Sequence, residues 1–188
     1  MCESLRGRYL IAGKRLRDTN FYKTVVLMVE HGSEGAMGLV VNRPSSITVA
    51  HALSKHFQIP DTDDLVYVGG PVEPSALFIL HNASEFDENE TAVIPGLYVG
   101  SSAEVFETII RASAEGNADL SFRIFSGCSG WAPGQLEGEL ERGDWYQQPA
   151  TSDMLFLEDP YEVWDRLLLK VYESNRILPD APNNPEWN

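Results

Sequence analysis

The run Thr24-Val25-Val26-Leu27-Met28-Val29-Glu30 is followed by His31-Gly32-Ser33-Glu34-Gly35 and then by Met37-Gly38-Leu39-Val40-Val41. The first and last pieces are apolar, rich in β-branched residues and of strand length. The middle piece is turn chemistry. Together they predict an antiparallel hairpin. A sheet that begins with a hairpin differs from one built of strand–helix–strand crossovers, and the rest of the chain continues in that vein.

On the N-terminal side, Tyr9-Leu10-Ile11-Ala12 is a short strand candidate. On the C-terminal side, Thr48 to Phe57 reads as a helix, with Val49, Ala52, Leu53, His56 and Phe57 on one face and Pro60 past its end. His56 on that face reads as a packed core histidine. Strands are predicted at 65–68, 76–80 and 96–99, with an acidic loop from Asn82 to about Ala92. Ser101 and Glu104 have capping-box spacing ahead of Val105, Phe106, Ile109 and Ile110, and Gly116 stands where that helix would stop. Phe122-Arg123-Ile124-Phe125 is a strand, and either Phe122 and Ile124 or Arg123 and Phe125 face the core.

A turn of small residues, Ser126-Gly127-Cys128-Ser129-Gly130, then leads to a helix with Pro133 in its first turn, running to about Arg142. Strands are read at 144–148 and 154–157. The last helix takes Asp159 as N-cap, Pro160 as first residue and Glu162 as capping-box partner. Its buried stripe is Val163, Trp164, Leu167, Leu168, Val171 and Tyr172. Hairpins separated by isolated helices give an α+β class, and many short strands can close into a small barrel. Residues 1–174 are read as one domain and 175–188 as a Pro- and Asn-rich tail.

The 188 residues suffice for a substantial core. No apolar run approaches the ~18 residues that span a bilayer, and the first residues lack a signal peptide's apolar stretch. A cytoplasmic protein is the expectation. Cys2 and Cys128 read as free thiols. CxxC and HExxH spacings are missing, so neither a metal nor a cofactor is expected. Net charge is -14 and uneven. Residues 1–44 carry seven Lys/Arg against four Asp/Glu, a net of +3, while 45–133 carry three against twelve and 134–188 four against twelve. Arg6, Arg8, Lys14, Arg15, Arg17 and Lys23 make the one basic set, read as a solvated face. Such a surface repels duplex DNA, and no basic recognition helix is present.

Ordered blocks carry a family resemblance over about Leu5 to Val171. They are Leu10-Ile11-Ala12 with Phe21, Gly35-Ala36-Met37-Gly38-Leu39-Val40-Val41-Asn42-Arg43-Pro44, Gly69-Gly70-Pro71-Val72, Leu80-His81, and Gly130-Trp131-Ala132-Pro133-Gly134-Gln135-Leu136-Glu137-Gly138-Glu139-Leu140 with Trp145. In this order they resemble the AlgH/YqgE family. The resemblance implies an α+β fold with a mixed, largely antiparallel, bifurcated sheet that includes a small barrel, surrounded by helices. It also implies a bacterial cytosolic protein with a suggested role in transcriptional regulation, and it brings no agreed catalytic residues. One departure is Cys128, where the family commonly has an aromatic residue.

Cys128 between small residues, after a strand and before a helix, loosely resembles a nucleophile elbow. His31 and His81 both end strands and are the bases that could converge on it. Set against this, the thiol reads as a small buried hydrophobe in a tight turn. Asn42 and Arg43 sit at a strand end, where Arg43 could clamp a carboxylate or phosphate, or simply hold a turn. Gly69-Gly70 and Gly127–Gly130 either bare the backbone to a ligand or permit tight turns. Trp131, Gln135 and Trp145 either line a site or anchor a short helix. Glu85, Asp87, Glu88 and Glu90 read as a solvated loop rather than a cation site. The leading expectation is a non-enzymatic protein that binds a small ligand or protein partner and regulates indirectly. Its site would be a groove of Asn42, Arg43, Gly69, Gly70, His81, Gly130, Trp131 and Gln135. The alternatives are a thiol enzyme or redox sensor using Cys128, and a direct DNA-binding regulator.

Overall fold

A computed structural model describes residues 4–59, 63–84, 91–157 and 159–175. The hairpin is present: β2 (Val25–Gly32) pairs with β3 (Gly35–Val40), with a register shift between Met28 and Glu30. β1 (Arg8–Ala12) adds antiparallel to β2, and β9 (Trp145–Pro149) adds antiparallel to β1. These strands are buried because their apolar residues are nearly continuous; Tyr9 to Ala12 and Val25 to Met28 are all at 0% exposure.

The other half of the sheet gathers on β8 (Phe122–Trp131). One edge of β8 pairs antiparallel with β6 (Val72–His81), whose far end carries β7 (Tyr98–Gly100). Along its length β8 also pairs in parallel with β5 (Leu65–Val68), through Phe125 and Ser126, and antiparallel with β3, through Ser129 to Trp131. β4 (Pro44–Thr48) closes the list on β5. The strand path is β4-β5-β8-β3-β2-β1-β9 with β6 and β7 branching from β8. The fold is α+β with a mixed, largely antiparallel sheet. No pairing among the described residues joins β4 to β9, and the ladders show no barrel.

The small-residue segment 126–130 is strand, not the expected turn. Its glycines serve a backbone crossing. A Cβ on Gly70 would stand 2.3 Å from the Cys128 carbonyl carbon and oxygen, and one on Gly127 (φ +69°) would stand 2.6 Å from the Gly70 oxygen. Only bare backbone lets the 69–70 and 127–128 segments pass this closely.

The helices pack in two groups. α1 (Val49–Leu53) and α2 (Ala103–Ala114) cover Val66, Ile79 and Ile124, while α5 (Glu162–Ser174) covers the β1–β2–β9 side. Ile124 belongs to the first core and Phe125 to the second, so β8 is buried on both faces. Three helix starts differ from expectation. Ser102, one residue past Ser101, caps α2 by accepting from the Val105 N–H at 3.3 Å. α3 (Gln135–Glu141) begins after Pro133, behind Gly134. α5 begins at Glu162; Asp159 accepts instead from the Tyr161 N–H and closes a turn before the helix.

α1 is shorter than its apolar pattern suggested. The chain leaves the helix at Ser54, so His56 is exposed rather than packed. Residues 152–155 form α4 (Ser152–Leu155), a helical turn, where a strand was expected from Met154. Tyr172, assigned to the buried stripe of α5, is 39% exposed and stacks edge-on against Tyr146. Cys2, Pro60, the acidic set at 85–90 and the tail from 176 lie outside the described residues.

Candidate functional site

The signature segment builds a lock around Glu139. β8 ends at Trp131, β9 begins at Trp145, and α3 lies between them. Gly143 ends α3 with its N–H donating to the Leu140 oxygen and the Asp144 N–H donating to that of Glu139, which turns the chain straight into β9. Both indole N–H groups then donate to one oxygen, Glu139 Oε2, at 2.9 Å from Trp131 and 2.8 Å from Trp145. The Gln135 amide donates to Oε1 at 3.0 Å while its own oxygen accepts the Ala132 N–H. The two indoles meet edge to face at 6.1 Å, and Phe21 packs on both. Trp131, Gln135 and Trp145 therefore spend their polar groups on each other's support.

Phe21 is held in turn from Arg43. The guanidinium donates to the carbonyls of Asn20 (2.5 Å), Thr19 (3.1 Å) and Tyr22 (3.2 Å), and burial pushes its pKa down. Asn42 accepts the Val25 N–H and donates to the Lys23 oxygen, both at 2.9 Å. Gly69 donates to Ser126, and its carbonyl receives both the Val40 N–H (2.8 Å) and the Ser129 hydroxyl (3.1 Å). Gly130 pairs with Met37 inside the sheet.

His81 is fully buried, stacks on Tyr98 at 5.7 Å, and pairs with Phe122 at the start of β8. Phe122 opens β8 and Gly130 stands eight positions further on, next to its end. The eight positions of the expected groove thus fall in separate places. Asn42, Arg43, Trp131 and Gln135 meet through the Phe21 loop, Gly69-Gly70 lies at the crossing, and His81 stands at the far end.

Cys128 is buried in β8 opposite Val72, and burial followed by the charge of Glu73 pushes its thiol up. His31 is engaged elsewhere. Its Nδ1 accepts the Leu5 N–H at 3.1 Å, which leaves the proton on Nε2, 3.1 Å from Glu137. No group of three His, Cys, Asp or Glu side chains suited to a metal occurs among the described residues.

A cleft of about 450 Å³ lies elsewhere, between β4–β5, the start of β8 and the residues Phe156, Leu157, Pro160 and Tyr161. Arg123 is its charged centre. The guanidinium lies 4.2 Å from the Tyr67 ring centroid and 5.7 Å from that of Phe156, a stack between two aromatic faces. One N–H donates to the Leu155 carbonyl. Its remaining donors have no acceptor among the described residues, and it forms no ion pair with a carboxylate there. Burial pushes its pKa down, opposed by Tyr67 and Asp64. Burial likewise pushes the Tyr67 phenol up.

Asp63 and Asp64 line the same cleft and are exposed, as is Tyr161 at 69%. Among the described residues the lining is charged and aromatic, with Arg123, Asp63 and Asp64 beside Tyr67, Phe122, Phe156 and Tyr161. Sequence reading missed Arg123 as a site. The available signal was an arginine inside an otherwise apolar and aromatic strand, which needs a special neighbourhood in either register.

Residues 9–174 match the AlgH-like family model, DUF179. A UPF0301 protein of Chlorobaculum tepidum is 35% identical over 182 residues, covering 97% of this chain and 95% of its own. One of Myxococcus xanthus is 35% identical over 169 residues, covering 88% and 90%. The solution structure of the AlgH protein from Pseudomonas aeruginosa superimposes with a TM-score of 0.72 at 31% identity, over 94% of this chain and 92% of that one. A crystal structure of a Corynebacterium diphtheriae protein gives 0.74 at 23% identity, over 90% and 88%, a likeness of fold. No helix among the described residues is long and apolar enough to cross a membrane.

Proposed function

The chain belongs to the AlgH-like family, and on that premise we propose that it is a cytoplasmic binding protein that regulates indirectly, with the Arg123 cleft as its ligand site. The observation that carries this reading is the state of Arg123: stacked between Tyr67 and Phe156, with most of its donors left over, at the centre of a 450 Å³ cleft. A guanidinium stacked by its faces keeps its edge for a planar anion, and a carboxylate matches that edge with two parallel bonds. The volume suits a small organic ligand.

The experiment is an NMR titration with 3-phenylpropionate, which pairs a carboxylate with an aromatic ring. Binding should shift resonances of Tyr67, Arg123 and Phe156 together, and Arg123→Lys should weaken it by about tenfold because a point charge replaces the fork. Saturating probe that leaves all three unshifted overturns the reading.

A further inference from the structure

We infer that the Arg123 cleft selects a zwitterion, a ligand carrying both a carboxylate and an ammonium group, over a simple anion; this rests on the reading of that cleft as a binding site. The argument is the order of charges across it. Arg123 is the half-buried cation, and the carboxylates of Asp63 and Asp64 stand exposed in the same lining. Asp64 is close enough to act on the guanidinium through its charge, yet neither aspartate forms an ion pair with it. The two signs are therefore held apart, and each is left to be met by something else.

A simple carboxylate entering to reach Arg123 meets two like charges and leaves them uncompensated. Inorganic phosphate, with more negative charge, fares worse. A ligand with an ammonium group at its other end reverses that effect, pairing with the aspartates as its carboxylate pairs with Arg123. Tyr161 lines the same cleft and is exposed, and carboxylates together with an aromatic face are the chemistry that holds an alkylammonium. The walls of Tyr67, Phe122 and Phe156 favour an aromatic or apolar body between the two charged ends. The class this describes is an amino acid or short peptide with an aromatic or apolar side chain.

Calorimetry on the full chain can separate the charges, using phenylalanine, its dipeptide, 3-phenylpropionate, 2-phenylethylamine and inorganic phosphate. Phenylalanine or its dipeptide should bind at least about tenfold tighter than 3-phenylpropionate, the worth of one charge-assisted contact. The double variant Asp63→Asn, Asp64→Asn changes exposed side chains, so it should fold as wild type by circular dichroism. It should erase the zwitterion's advantage while 3-phenylpropionate binds as well or better. Arg123→Lys should weaken both acids and leave 2-phenylethylamine unchanged. If 3-phenylpropionate or phosphate equals or exceeds the zwitterions, the selection is wrong while the cleft remains a binding site. If no probe binds, both the selection and the binding reading fail.

Discussion

At the scale of single residues, Glu139 joins more of the molecule than any catalytic candidate does. Its side chain receives two indole N–H groups and an amide, and the indoles come from β8 and β9, which are not neighbours in the strand order. Glu139→Ala leaves two buried donors without an acceptor, a loss of about 1–3 kcal/mol for each by the usual cost of such groups. Glu139→Gln keeps an accepting oxygen and should lose about 1 kcal/mol. Urea unfolding followed by tryptophan fluorescence distinguishes the two, and equal stability of both variants with wild type would remove the lock from the account. Cys128 makes the opposite case. Its thiol is pushed up from the ordinary value of about 8.5, so the folded protein holds the proton longer than the unfolded chain does. The stability this gives is complete below about pH 8.5 and is lost as pH rises toward the folded value. On a Cys2→Ser background, alkylation at pH 7 should be slower than that of a free thiol and should climb only in alkaline solution. A thiolate titrating below neutrality would restore the enzyme or redox-sensor reading.

At the scale of elements, α5 is fixed to the sheet by Trp164, whose N–H donates to the Ala12 carbonyl at 2.8 Å from a site 5% exposed. Trp164→Ala should cost roughly 3–5 kcal/mol, and Trp164→Phe, which keeps an aromatic body and drops the hydrogen bond, clearly less. A Trp164→Ala variant that melts within a degree or two of wild type would refute the anchor. The glycine crossing gives a paired test. Gly70→Ala places a methyl 2.3 Å from backbone atoms that cannot swing away, whereas Gly134→Ala meets nothing within 4 Å and bears only its φ of +75°. The second should cost about 1–2 kcal/mol, and the first should exceed it and threaten folding altogether. Denaturant midpoints of the two variants decide the matter.

These elements also show what sequence reveals. The 24–41 hairpin, the α2 face and the Trp164 stripe were legible because local periodicity and burial agree there. Segment 126–130 was misread because small residues signal a turn locally, while here they answer a neighbour more than fifty positions away. Arg43 and the tryptophans stand out in the sequence as special residues, but spacing says nothing about whether a special residue serves a ligand or the fold. Arg123 stayed hidden because its aromatic partners, Tyr67 of β5 and Phe156, meet only in three dimensions.

At the scale of the whole molecule, the charge of -14 predicts no appreciable affinity for duplex DNA at physiological salt. Mobility shifts with random and promoter duplexes check this, and tight, salt-sensitive binding abolished by Arg15→Glu with Arg17→Glu would contradict it. One architectural fact reaches into how the molecule is made. β8 is the strand on which β3, β5 and β6 all assemble, and it lies two thirds of the way along the chain. During synthesis those three strands leave the ribosome before the strand that joins them exists. The contacts that close the sheet span long sequence distances, which slows folding and leaves strand edges open in the interval. A nascent chain halted before residue 122 therefore has the β1–β2–β3 meander but lacks the strand that joins it to β5 and β6. The two halves of the sheet can join only once the chain through Trp131 has emerged.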